Sequence, residues 1–193
     1  MSKHLELAQR LRDAFPDLIG APTEFRGEVS LTVADAERIA DVCVFAKKEL
    51  GFDLLLDLSG VDNLGDDPRW SVVYELYGVA QGCHLRLKTL VSEEKSELPT
   101  VSGVWRAADW HEREAYDMMG IRFRGHTDLR RILMWEGYPY FPLRKDFPLA
   151  GKPSVLPDTA FTRPAPLEGG PFITPAGGRD SIAREPRART PET

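Results

Sequence analysis

Apolar positions over the first hundred residues switch between helical and strand spacing. Leu7, Leu11 and Phe15 recur at i, i+4 and i+8, which predicts an amphipathic helix over 4–15, ended by Pro16. From Glu24 to Val33 every second position is apolar or small: Phe25, Gly27, Val29, Leu31 and Val33. That alternation predicts one strand. Thr32 and Asp35 make a capping-box-like start for a stripe of Ile39, Val42, Cys43, Ala46 and Leu50. This helix should stop at Gly51. Phe52–Val61 reads as a second strand, and the run NLGDDP at 63–68 as a turn. Trp70–Val79 and His84–Val91 alternate with period two across a short link, which predicts a hairpin. Residues 97–103 read as a loop or short turn.

Asp109–Met119 has helical spacing, with Asp109 and Glu112 in capping-box register and Gly120 as the stop. A short strand at 121–123 and a helical turn at 130–133 follow. Strands joined partly by hairpins and partly by helices predict an α+β fold. The sheet should be mixed or antiparallel, with helices mainly on one face. This domain spans 1–150, with a distinctive region at 105–151. Residues 152–193 hold eight of the fifteen prolines and no Trp or Tyr, too little apolar surface to fold alone. They read as an extended, partner-binding C-terminal tail.

Composition narrows the function. No run approaches the roughly 20 apolar residues of a membrane span. The start MSKHLELAQR lacks an apolar core behind a basic end, so no secretory signal is expected. Cys43 and Cys83 are the two cysteines, which excludes a disulfide scaffold, a zinc ribbon and an iron–sulfur cluster held by this chain alone. The net charge of −5 argues against a general nucleic-acid binder. Glycine fingerprints for dinucleotides or phosphates are absent. His111-Glu112 begins like a zinc-protease helix, but Ala115 stands where the second histidine belongs. A hydrolase using Asp117 or His111 is therefore disfavoured.

The stretch 105–151 carries three of the four tryptophans and a dense set of arginines. Trp110, Glu114 and Met118 share a helix face, so Glu114 either pairs with Arg113, Arg130 or Arg131 or sits at the edge and reaches water. Basic and aromatic residues interleave from Arg122 to Asp146. That pattern suits a protein-interface hot spot or a single-stranded nucleic-acid platform. The acidic total favours the interface.

Three segments carry a family resemblance. Glu112-Arg113-Glu114-Ala115-Tyr116-Asp117-Met118-Met119-Gly120-Ile121-Arg122-Phe123 is the first. Gly125-His126-Thr127-Asp128-Leu129-Arg130-Arg131-Ile132-Leu133 is the second, and Pro142-Leu143-Arg144-Lys145-Asp146-Phe147-Pro148-Leu149-Ala150-Gly151 the third. In this order they resemble the 30-kDa subunit of proton-translocating NADH:quinone oxidoreductase, respiratory complex I. Thr127 stands where the family usually has proline, and 134–141 is idiosyncratic.

The resemblance implies a structural subunit of the peripheral arm with no catalytic, cofactor-binding or metal-binding residues of its own. FMN, iron–sulfur clusters and quinone would belong to partner subunits. The chain would join a hetero-oligomer, above all beside the subunit forming the quinone cavity. It would lie on the cytoplasmic side of the inner or cell membrane, peripherally and through its partners only, and bind no nucleic acid. An equivalent subunit of a membrane-bound hydrogenase or other-donor quinone reductase is the alternative. Glu112, Arg113, Glu114, Asp117, Arg130, Arg131, Arg144, Lys145 and Asp146 are the candidates for an ion-pair and interface network. For Glu114, Arg130 and Arg131, internal salt bridges that fix the fold are an equal expectation.

Overall fold

A computed structural model describes residues 3–148. The predicted tail, 152–193, lies outside the described residues. The chain divides into two compact units, 1–144 and 145–193. Of the second, 145–148 are described, and Lys145 and Asp146 are exposed there.

The first unit begins with α1 (Lys3–Ala14), which buries Leu7, Ala8 and Leu11. Two strands follow, β1 (Thr23–Phe25) and β2 (Glu28–Val33), paired antiparallel with Phe25 opposite Glu28. The single strand expected over 24–33 is therefore a hairpin. Its two-residue turn, Arg26-Gly27, has φ of 52° and 83°, the left-handed pair that matches strand twist. The alternation continues through the turn because Phe25 is apolar yet exposed.

Asp35 caps a 3₁₀ turn (Ala36–Arg38) by accepting from Glu37 N at 2.9 Å. Helix α2 (Ile39–Leu50) continues from it, burying the expected stripe and closing on Gly51 in the left-handed region. Strands β3 (Leu54–Asp62), β4 (Trp70–Gly78) and β5 (Cys83–Val91) form an antiparallel meander. β5 also pairs in parallel with β2. The sheet order is β1-β2-β5-β4-β3, mixed as expected.

Trp70, Val72, Tyr74 and Leu76 of β4 are fully buried, while Ser71, Val73, Glu75 and Tyr77 between them are half-buried. The helices thus cover one face, where each fully buried large side chain contributes about 1.5–3 kcal/mol. The other face carries a charge network in which Arg86 bridges Glu28 and Glu75.

Beyond the sheet, β6 (Glu97–Pro99) pairs in parallel with β7 (Arg122–Arg124). The loop or short turn expected at 97–103 therefore contains a strand, made by a partner distant in sequence. Between them lies α3 (Ala108–Met119). It packs on β3 where Gly60 presents hydrogen instead of a side chain. A Cβ there would stand 2.8 Å from Met119 Sδ and 2.9 Å from Ile121 Cδ1.

Candidate functional site

Helix α3 organises the chemistry-bearing residues. Its N-cap is Ala107, with no side-chain cap, so the expected Asp109–Glu112 capping box does not form. Both acids serve other loops. Glu112 is fully buried: Oε1 accepts from Val101 N at 2.7 Å, and Oε2 accepts from Thr100 Oγ1. Burial pushes its carboxyl above the ordinary carboxylate range, and those two donors offset only part of the rise. Asp109 Oδ1 lies 3.0 Å from Nε2 of His126, whose side chain is fully buried. Asp128 N donates to His126 Nδ1 at 3.0 Å, so the ring proton sits on Nε2 and points at Asp109.

One turn on, Asp117 faces the 130–134 segment. Its Oδ2 accepts from three consecutive backbone N–H groups, Ile132 at 3.0 Å, Leu133 at 2.7 Å and Met134 at 2.9 Å. Its Oδ1 accepts from Arg131 Nη1 at 2.6 Å. Burial alone would raise this carboxyl, but the three amides and Arg131 outweigh it and hold it below the ordinary range. The expected helical turn at 130–133 is absent, because these N–H groups wrap a carboxylate instead of feeding i→i−4 bonds. Arg113 completes the clasp. Its Nε donates to the Arg130 carbonyl at 3.2 Å and Nη2 to the Arg131 carbonyl at 3.5 Å. Its guanidinium lies 5.0 Å from the Trp110 ring centre.

The sequence-predicted residues thus separate. Glu112, Arg113, Asp117 and Arg131 converge on the loops around α3. Glu114 is exposed and reaches water, the second of the two alternatives. The pairing expected for it goes to Asp117, which Arg131 takes. The reason is that the buried stripe of α3 runs through Ala108, Glu112, Ala115 and Met118, leaving Trp110 61% exposed. Arg130 pairs at the surface with Asp128 at 2.9 Å. Arg144 donates from Nε to the Met119 carbonyl at 2.7 Å and lies 4.4 Å from the Phe141 ring centre. It closes the helix end where Gly120 turns with φ of 80°. A Cβ on Gly120 would meet Arg144 Nη2 at 2.5 Å and Phe141 at 2.8 Å.

Thr100, Val101, Asp109 and His126 belong to the same arrangement and fall outside the sequence candidates. His126 lies within a matched segment, which is the available signal. A second buried pair, Arg69 bidentate on Asp62 at 2.9 Å, also falls outside them. Among the described residues, no group of three or more His, Cys, Asp or Glu could hold a metal ion. No described helix is long and apolar enough to cross a membrane.

An open groove of about 660 Å³ lies between α3 and the 129–138 segment, lined by Trp110, Arg113, Tyr116, Ile132 and Tyr138 among others. The site holds shape: Glu112 and Asp117 each accept from backbone amides with one oxygen and from a side chain, Thr100 or Arg131, with the other.

The family model described as "Respiratory-chain NADH dehydrogenase, 30 Kd subunit" matches residues 32–153, well over half the chain. The chain belongs to this family. The NADH-quinone oxidoreductase C subunit of Geotalea uraniireducens is 46% identical over 151 residues, covering 78% of this chain and 92% of that protein. The corresponding C subunit of Geobacter sulfurreducens is 45% identical over 152 residues, covering 78% and 93%. Among solved structures, a trypsin-resistant fragment (1–134) of Nqo5 matches with a TM-score of 0.57 and 30% identity, over 64% of this chain and 97% of the fragment. A chain of the membrane-bound sulfane sulfur reductase, an archaeal respiratory membrane complex, matches with a TM-score of 0.66 and 27% identity, over 77% and 87%. The matched residues of this chain include the segments that clasp here: the first is α3 and β7, the second supplies His126 and the loop around Asp117, and the third begins at the Gly120 turn.

Proposed function

We propose that this chain is a cofactor-free structural subunit of the peripheral arm of a proton-translocating NADH:quinone oxidoreductase. The assembled complex moves electrons from NADH to quinone and couples that to proton translocation. This chain holds the cluster-bearing and quinone-binding subunits in register, because tunnelling distances and coupling depend on their geometry. The observation that carries the reading is the family match spanning the α3 clasp. The commitment of the charged residues to backbone supports it: Asp117 and Glu112 stabilise irregular loops instead of facing a reaction centre.

In this reading FMN, iron–sulfur clusters and quinone reside in partner subunits. The main neighbour is the subunit that forms the quinone cavity, and 152–193 are proposed as a partner-binding segment. Attachment is peripheral, on the cytoplasmic side of the inner or cell membrane, and entirely through partners. Lys145 and Asp146 are proposed as partner contacts. A second reading, the equivalent subunit of a related respiratory complex with another electron donor, is favoured by the likeness to the sulfane sulfur reductase chain.

The test is affinity purification of the tagged chain from detergent-solubilised membranes of its own source, with subunits identified and NADH:quinone activity assayed in the same fraction. Flavin- and cluster-bearing partners with that activity are expected. Nickel–iron hydrogenase partners would move the chain to the second reading. Recovery of the chain alone would overturn both.

A further inference from the structure

We infer that the groove beside α3 seats an extended segment of a neighbouring subunit that carries a single carboxylate between apolar residues; this rests on the assembly reading above. Three arginines line the groove, 113, 130 and 131, together with Glu136. Arg131 is paired with Asp117, and Arg130 with Asp128. Arg113 is different. It is 8% exposed, and its partners are two backbone carbonyls and the face of Trp110. Among the described residues, no carboxylate oxygen comes within salt-bridge distance of it.

A buried guanidinium without a counter-charge is costly, and it presents five N–H donors of which two are used here. A carboxylate entering the groove would supply both the missing charge and acceptors in the fork geometry that guanidinium favours. Glu136, exposed on the rim, repels a strongly acidic segment, so one carboxylate fits and a run does not.

The walls settle the rest of the occupant. Trp110 is 61% exposed, and Leu129 and Ile132 add apolar surface to the lining. Tyr116 and Tyr138 add aromatic surface. Exposed Trp, Tyr and Arg around a concavity are the residue types that dominate protein–protein hot spots. The volume falls among sites for drug-sized ligands, about 300–1,000 Å³, which suits a few extended residues and not a helix face. The floor is also pre-shaped: Asp117 ties down 132–134 before any partner arrives, so little ordering remains for binding to impose.

The experiment uses the assembled, detergent-solubilised complex. Benzoylphenylalanine replaces Trp110, the complex is irradiated, and cross-linked peptides are sequenced. The Trp110 ring lies 5.0 Å from the Arg113 guanidinium, and an extended chain advances about 3.3 Å per residue. The captured peptide should therefore belong to another subunit and carry Asp or Glu within about two residues of the cross-link. Trp110→Ala should weaken retention of this chain in the complex about thirtyfold or more, the effect of losing one hot-spot side chain, with its own melting temperature lowered by no more than about 3 °C for the lost stack on Arg113. Cross-links confined to this chain, to lipid or to a small molecule, or to a peptide without an acid, overturn the inference while the assembly reading stands. Absence of partner subunits before irradiation overturns the assembly reading itself.

Discussion

Asp117→Asn isolates what the clasp contributes. The substitution keeps the side chain's shape and removes its charge. In the native chain one oxygen takes three amide protons at 2.7–3.0 Å, and the other takes Arg131 Nη1 at 2.6 Å. Asparagine has one oxygen to offer. If that oxygen stays with the three amides, the NH2 group faces the Arg131 donor. If it flips to Arg131, the NH2 group faces three N–H groups. Either orientation leaves donors unpaired around a fully buried site, beside an arginine that is only 13% exposed. Breaking one partner of such a buried pair costs about 3–5 kcal/mol. At about 3 °C per kcal/mol for a domain of this size, the full chain should melt about 9–15 °C lower at pH 7. Differential scanning calorimetry of both chains measures this. The pH dependence carries a sign. Asp117 is held below the ordinary carboxylate range in the folded chain, so its contribution is complete above the unfolded value, about pH 4, and fades as pH falls through the lower folded value. The gap between wild type and variant should therefore narrow below about pH 4. A melting point within about 3 °C of wild type at pH 7 would refute the clasp as a stabilising element.

Glu112→Gln should behave oppositely, staying within about 1 kcal/mol of wild type at pH 7 by chemical denaturation. Burial raises this carboxyl, so its ionisation costs stability as pH rises between the ordinary and the raised values, and glutamine keeps the Val101 bond while removing that slope. Gly120→Ala should cost about 1–3 kcal/mol, seen as a lowered urea midpoint, because alanine meets a φ of 80° and Phe141 at 2.8 Å. Cys43 and Cys83 are both buried, and burial with the nearby Glu112 charge pushes the Cys43 thiol up, so neither should react with Ellman's reagent until the chain is unfolded.

Legibility in the sequence follows the range of each interaction. The stripe from Ile39 to Leu50 and its stop at Gly51 are local, and they stand in the structure as read. The Glu24–Val33 hairpin is hidden because Arg26 adopts a positive φ that its residue type does not advertise. Pairing of Glu97–Pro99 with Arg122–Arg124 depends on a distant partner and leaves no local period. Asp117 is the plainest case. Its importance lies in three backbone N–H groups of another segment, and backbone groups are identical in every residue. Glu112 is more accessible to reasoning. Ala108, Ala115 and Met118 form a stripe that places it inside, but two small alanines make a faint stripe beside Trp110.

The clasp shows what the buried charged residues of α3 do in the fold: they hold backbone. The chain from 125 to 138 is irregular apart from turns, so its buried N–H and C=O groups have no ladder to satisfy them. One helix face supplies the missing partners: Asp117 for the amides of 132–134, and Arg113 for the carbonyls of 130 and 131. These side chains fix the shape of the loop, and the outward residues Trp110, Leu133 and Leu143 stay exposed. The two roles separate experimentally. Asp117→Asn and Arg131→Ala should lower melting temperature and incorporation into the complex together, since the loop loses its shape first. Trp110→Ala should lower incorporation far more than melting temperature, because a side chain 61% exposed contributes little to the fold beyond its stack on Arg113, about 0.5–1 kcal/mol. Loss of incorporation in Asp117→Asn with an unchanged melting point would mean that Asp117 contacts the partner directly and that the clasp is secondary.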